Sequence, residues 1–396
     1  MNGSVLRAPG MPLLVAMTLL AFSGYAALLP VAPLWAVHGG ADPVGAGMVN
    51  GVLMLFTVLT QLLVPSALRR FGWGPVLVAG MLLLGLPAGA FVLSDALTPV
   101  LLLSALRGLG FGVITVTGSA LVAELVDPLR RGAAIGIYGL AIAGPQVLFV
   151  SAGPWIVEHL GFELVFAVGV LPALGALPAL RLSRRLEHVP RAQERAPYLQ
   201  LLRPMALLLG VTLAGGALIT FMAQMSSSAG LSTLALLLLT LTAAFARWRI
   251  GTLADWHGPH RFIWPLVVLT AVGMALVAWA VRDPQDSVVP LLLLGATAVG
   301  ISYGGLQNLT LVVAFQSVER PHYGSASAVW NIGFDAGTGL GSVVIGMIAA
   351  GASFSTAMLA GGALSLLTLP LALRRSGTGR PGTGRPGAGS DGKGRA

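Results

Sequence analysis

No cysteine occurs among the 396 residues, which excludes disulfides and thiolate metal sites. Lysine is nearly missing as well: of 23 basic residues only Lys393 is one. Charge of either sign is scarce, at 9% of the chain, against about 25% in soluble domains. With 56% of residues hydrophobic, so few charges cannot clothe a water-facing surface, and most of the surface must face lipid. The six histidines lie at the edges of the apolar runs or between them, so no intramembrane Ser–His dyad is available. No G-x-x-x-x-G-K-[S/T] stretch is present to cradle a nucleotide phosphate. Neither an enzyme nor a cofactor is expected. The net charge of +9 does not signal nucleic acid, because the basic residues punctuate apolar segments instead of forming a patch.

What the chain does have is a succession of apolar runs, each near the roughly 20 residues that a membrane-spanning helix needs. They fall at 11–36, 46–66, 75–95, 98–123, 132–156, 162–181, 203–224, 228–246, 262–281, 288–313, 324–350 and 353–373. The prediction is an all-α, multi-pass protein of the cell membrane with twelve transmembrane helices. The first run is too long for the apolar core of a signal peptide and is followed by further spans, so it is expected to remain in the mature chain. With the N-terminus inside, 21 of the 23 basic residues fall on the cytoplasmic side, Arg282 falls outside and Arg107 within the membrane. That asymmetry predicts an N-in, C-in orientation. Trp35, Trp155 and Trp279 then mark outer span ends, and Trp73, Trp248, Trp256 and Trp264 inner ones.

The long polar stretch 182–202, LSRRLEHVPRAQERAPYLQLL, divides six spans in 1–181 from six in 203–373. The halves echo each other. RRFGWGP around Gly72 corresponds to ADWHGPH around Gly258, and RRGAAIGIYG from Arg130 to HYGSASAVWN from His322, at offsets of 186 and 192. Parallel six-span repeats are a known transporter plan. Residues 374–396, RRSGTGRPGTGRPGAGSDGKGRA, are Gly/Pro-rich and basic, and are expected to be a disordered cytoplasmic tail.

The stretch RIGTLADWHG, 249–258, resembles the loop motif of the major facilitator superfamily at Gly251, Leu253, Ala254, Asp255 and Gly258. The copy in the first half, PSALRRFGWG, keeps Arg70 and Gly72 but carries Arg69 where the acid is usual and Pro65 where the first glycine is. R-G-x-G-x-G at Arg107, Gly108, Gly110 and Gly112 resembles a motif of twelve-span drug:proton antiporters, and AGPQVLFVSAGP, 143–154, their Gly-Pro motif without its following Gly-Gly pair. The resemblance implies two pseudo-symmetric six-helix bundles around a cavity, lined in part by spans one and ten. It also implies gating by Gly251, Asp255 and Gly258, with Asp255 near Arg131 at the inner end of span five. Independently of any family, Gly144-Pro145 should kink span five, and the pair is counted among the expected gating residues.

Two charges lie deep in apolar spans. At 1.5 Å per residue, Arg107 is about 14 Å from the outer start of its span and Asp335 about 17 Å from the inner start of its own. Each must face protein or a wet cavity, since a charge at the membrane centre costs about 2.5–3.5 kcal/mol. A carboxyl group in a low-dielectric setting exchanges its proton nearer neutrality than in water, which makes Asp335 the expected proton carrier, Arg107 its modulator at the cavity wall and Glu124 the fallback. Tyr25, Gln146, Tyr303, Gln307 and Asn308 are the expected neutral polar groups of the cavity. The leading expectation is proton-driven export of small amphipathic molecules by a monomer, with a proton, a small-molecule substrate and the bilayer as its partners. The alternative is uptake of a small carboxylate or polar solute anchored by Arg107, and a non-transporting membrane receptor is the third.

Overall fold

The computed structural model describes residues 8–126, 131–186, 198–283, 288–319 and 322–373, without the side chains at 119, 123, 131–133 and 255. Among the described residues all regular structure is helical, and twelve helices are long and apolar enough to cross a membrane. They are α1 (Met11–His38), α2 (Pro43–Phe71), α3 (Trp73–Leu93), α4 (Leu97–Leu125), α5 (Ala134–Leu160) and α6 (Phe162–Ser183). The second set is α7 (Tyr198–Met225), α8 (Ala229–His257), α9 (His260–Ala280), α10 (Val289–Gln316), α11 (Tyr323–Gly351) and α12 (Phe354–Leu373). An even number of crossings puts the start of α1 and the end of α12 on one side, the terminal face; the other side is the far face.

Several helices outrun the apolar segments that announced them. α2 extends to Phe71 and α8 to His257, past Arg69, Arg70, Arg247 and Arg249. Hydropathy marks only the hydrocarbon stretch, whereas the backbone goes on hydrogen-bonding into the headgroup layer. α7 begins at Tyr198, inside the stretch expected to be linker, because Leu201 is buried in a cluster with Ala314 and Ala326. The remainder of that linker at 187–197, and the tail 374–396, lie outside the described residues.

The helix ends follow local chemistry. At the far face Asp42, Ser228 and Ser353 cap α2, α8 and α12 by accepting backbone N–H groups of Gly45, Leu231 and Thr356 at 2.8, 3.2 and 3.1 Å. At the terminal face α2 stops at Gly72 (φ 77°) and α8 at Gly258 (φ 81°). A side chain at that φ would be strained, so the sequence correspondence between these two glycines is a shared helix terminator.

The pseudo-symmetry of the two bundles extends to packing. In the first bundle α2 packs on α4, α3 on α4 and α6, and α1 on α5 and α6. Six helices later α8 packs on α10, α9 on α10 and α12, and α7 on α11 and α12. The bundles meet where α2 lies against α11, α5 against α8 and α1 against α7. At the far half of the α2–α11 seam the backbones nearly touch. A Cβ on Gly47 would collide with the Ser342 carbonyl, and one on Gly346 would come within 2.5 Å of the Pro43 carbonyl.

Candidate functional site

A cavity lies between the bundles at mid-depth, with about 690 Å³ of atom-free space, part of it continuous with solvent. Its wall draws Tyr25 from α1, Gln146 from the middle of α5, Arg247 from α8, Tyr303 and Gln307 from α10, and Phe334 from α11. Four of the five expected cavity residues therefore line it. Tyr25 is held by a parallel stack on Phe111, ring centroids 3.8 Å apart at an interplanar angle of 4°. The Tyr303 ring lies against Gly215 of α7, where any side chain would strike it. The expected kink in α5 takes the form of a widened turn over Gln146–Val150, directly after Pro145. Proline lacks the N–H that an α-helical turn would use, and the wider turn coincides with the stretch that brings Gln146, Val147 and Val150 to the cavity. Pro145 is buried and Gly144 is exposed.

Asn308 is not in the cavity wall. Its Nδ2 donates to the Arg247 carbonyl at 2.9 Å, pinning α10 to α8. Gly251 leaves room for that contact, since a methyl group there would stand 2.8 Å from Asn308 Nδ2.

Asp335 is 2% exposed and lies beside the cavity, between the lining residues Phe334 and Thr338 of α11 but turned toward α2. Gln61 Nε2 of α2 donates to its Oδ2 at 2.6 Å and to Thr115 Oγ1 of α4 at 3.0 Å. The other amide atom, Gln61 Oε1, is buried without a partner among the described residues. The carboxyl group is thus held by a neutral amide from the opposite bundle. Nε2 is a donor only, so this bond is strongest when the carboxyl group is ionised.

The expectation that Arg107 stands at the cavity wall is corrected. The side chain is 1% exposed, Nη2 donates to the Gly24 carbonyl of α1 at 3.2 Å, and the guanidinium carbon lies 5.9 Å from the Phe91 ring centroid. The cause is in its own motif. Gly108 and Gly112 meet the backbone carbonyls of Leu53 and Thr57 on α2, and Gly110 meets α3 at Gly80 and Leu84. Those close approaches fix the rotation of α4, and Arg107 is left facing α1 and the end of α3. Glu124 is exposed near the end of α4, away from the cavity lining. Gly258 is the terminator already described, while the side chains of Arg131 and Asp255 lie outside the described part, so their expected approach is neither seen nor refuted.

Residues not singled out from the sequence complete the arrangement. Arg247 sorts with the interior loop charges by hydropathy, yet it is four residues past the midpoint of α8, about 6 Å along the axis. Its Nη1 donates to Gln307 Oε1 at 3.3 Å. Nearer the far face, Asn50 Nδ2 donates to the Leu29 carbonyl at 2.8 Å and to Thr220 Oγ1 at 2.9 Å, and Thr220 Oγ1 is 2.8 Å from Ser342 Oγ. This buried network ties α1 and α2 to α7 and α11. On the other seam Ser151 Oγ of α5 meets Thr240 Oγ1 of α8 at 3.2 Å. The available signal was a neutral polar residue inside an apolar span, which needs a partner there.

The sequence matches the family model of the Major Facilitator Superfamily over residues 14–283 and again over 250–392. No curated protein matches it. Among solved structures, a bacterial homologue of the human lysosomal transporter Spinster, inward-facing and unoccupied, is similar with a TM-score of 0.74 at 16% identity, covering 94% of this chain and 97% of that one. A D-xylose–proton symporter gives 0.71 at 14% identity, over 92% and 97% of the two chains. A nucleoside transporter gives 0.68 at 15%, over 92% and 98%. At these identities the likeness is one of fold.

Proposed function

Since the chain belongs to the Major Facilitator Superfamily, we propose that it is a proton-coupled secondary transporter of the cell membrane that exports small amphipathic compounds by alternating access, acting as a monomer. The observation that carries the reading is the buried Asp335, held by a neutral amide across the seam between bundles and adjacent to the cavity wall. A carboxyl group so placed can take up and release a proton without breaking an ion pair, and its only side-chain hydrogen bond among the described residues spans the two bodies that must move. Apolar and aromatic groups in the wall, Tyr25, Tyr303 and Phe334, suit an amphipathic solute. The basic residues gathered on one side support a cytoplasmic terminal face. With the far half of the α2–α11 seam closed, the conformation then reads as inward-facing. Arg107 is read as the tie between α4 and α1, and a gating role for Gly251, Asp255 and Gly258 with Arg131 rests on the resemblance of their motif.

The test is transport in proteoliposomes under an imposed pH gradient, wild type against Asp335→Asn. Asn keeps the size and accepts the Gln61 hydrogen bond but cannot exchange a proton. Gradient-driven accumulation should disappear while substrate binding persists. Wild-type accumulation by the Asn variant would remove Asp335 as the proton site.

A further inference from the structure

The cavity wall contains a single charged side chain among the described residues, and it is a cation. Arg247 forms no ion pair among them, and its one side-chain hydrogen bond goes to the neutral Gln307 at 3.3 Å, the long end of the range. A guanidinium carries five N–H donors in one plane, so most of its bonding capacity is left to whatever enters the cavity. Asp335 does not supply the missing partner, because it is engaged by Gln61 and is not part of the wall. Around Arg247 the wall offers ring surfaces from Tyr25, Tyr303 and Phe334 and hydroxyls from Thr240 and Thr338, and no described carboxylate.

We infer that the cavity selects small amphipathic anions, with Arg247 pairing with the anionic group and the aromatic residues covering the apolar body. A carboxylate fits the guanidinium fork with two parallel hydrogen bonds. Gln307, beside it in the wall, accepts one of its N–H groups, and Asn308, through its bond to the Arg247 carbonyl, fixes the turn of α8 that presents it. A cationic amphipath of the same shape meets a like charge with nothing in the wall to offset it. The inference rests on the transporter reading above, and it divides the labour: Asp335 handles the proton, Arg247 the charge of the cargo.

The experiment uses three probes of one shape: phenylbutyrate, phenylbutanol and phenylbutylamine, each with the ring at the end of the chain away from the polar group. Binding to the purified full-length chain is read by thermal shift, and flux is read in proteoliposomes under a pH gradient. The expected order is anion, then alcohol, then amine. Arg247→Gln should weaken the anion roughly ten- to a hundredfold in both apparent Kd and apparent KM, the scale of a hydrogen bond to a charged group. The same constants for the alcohol should stay unchanged. Arg247→Lys keeps the charge without the fork and should fall between, and it carries the comparison if the Gln variant does not fold. A merely structural role would weaken all three probes alike. Equal binding of amine and anion, no binding of any probe, or an Arg247→Gln protein with unaltered preference overturns the inference. Gradient-driven flux without anion preference would sink the selectivity and leave the carrier reading intact. Anion-selective binding without flux would do the reverse.

Discussion

Replacing Thr220 by valine should loosen the far seam, and the size of the effect can be worked from the hydrogen bonds around it. The Asn50 amide has two N–H groups, one given to the Leu29 carbonyl and one to Thr220 Oγ1. The first bond stays within the first bundle and cancels between conformations. The contacts of Thr220 with Ser342 and with the Gly216 carbonyl stay within the second bundle, and Ser342 keeps its bond to the Thr338 carbonyl. Of the bonds in this network, only Asn50–Thr220 crosses between the bundles. In Thr220→Val the second Asn50 N–H is buried without a partner while the seam is closed, a cost of about 1–3 kcal/mol, and it meets water once the seam opens. At about 1.4 kcal/mol per tenfold, the open fraction should rise roughly 5- to 150-fold. The chain has no cysteine, so one introduced thiol reports without background. Met54 is 1% exposed and packs against Gly339 in the same seam. In a Met54→Cys background, maleimide labelling of purified protein should accelerate by that factor with Thr220→Val and hardly at all with Thr220→Ser, which keeps the hydroxyl. An unchanged rate in the valine variant would refute the idea that this network holds the seam.

Gln61→Met removes the hydrogen bond that favours the charged form of Asp335, worth about 1.5–3 kcal/mol. Proton release is then harder, and the pH profile of transport should move up by about one to two units at 1.36 kcal/mol each; a profile that stays in place would show that the amide does not act on the proton. Arg107→Met exchanges a buried charge with one hydrogen bond for an apolar side chain of similar reach, a change that is often neutral for stability. Melting should shift by no more than about 2 kcal/mol equivalent and the pH profile should not move, whereas a shifted profile would return Arg107 to the coupling machinery.

The twelve spans were legible because lipid imposes a length and a composition on every one of them. Even the short far-face breaks stand where expected, at Ser226–Ser228 and at Ala352. Gly72 and Gly258 were legible as a matched pair because a positive φ leaves few residue choices. Helix rotation was not. Depth along a helix follows from counting, but which neighbour a side chain meets depends on how α4 packs, and so Arg107, near mid-depth by that count, faces α1 and not the cavity. Arg247 is hidden for the opposite reason: it stands where hydropathy falls, beside Trp248 and Arg249, and resembles one more interfacial charge. Gln61 and Asn50 carry no charge to draw attention, and their importance comes from partners 274 and 170 residues away.

Because the Asp335–Gln61 bond joins the two bundles, proton affinity and conformation are bound by reciprocity. Whatever factor opening applies to the affinity of the carboxyl group for protons, protonation must apply to the opening equilibrium. If parting the bundles breaks that bond, the factor is about 10- to 150-fold, set by the 1.5–3 kcal/mol of a hydrogen bond to a charged group. A coupling of that size is finite, so under the proposed mechanism some cycles would run without the proton, at a frequency near the inverse of the factor. Proton uptake by purified protein, followed with a pH-sensitive dye as Thr220→Val shifts the conformational balance, would measure the factor directly. No uptake would mean that the bond survives the motion and the slip is set elsewhere.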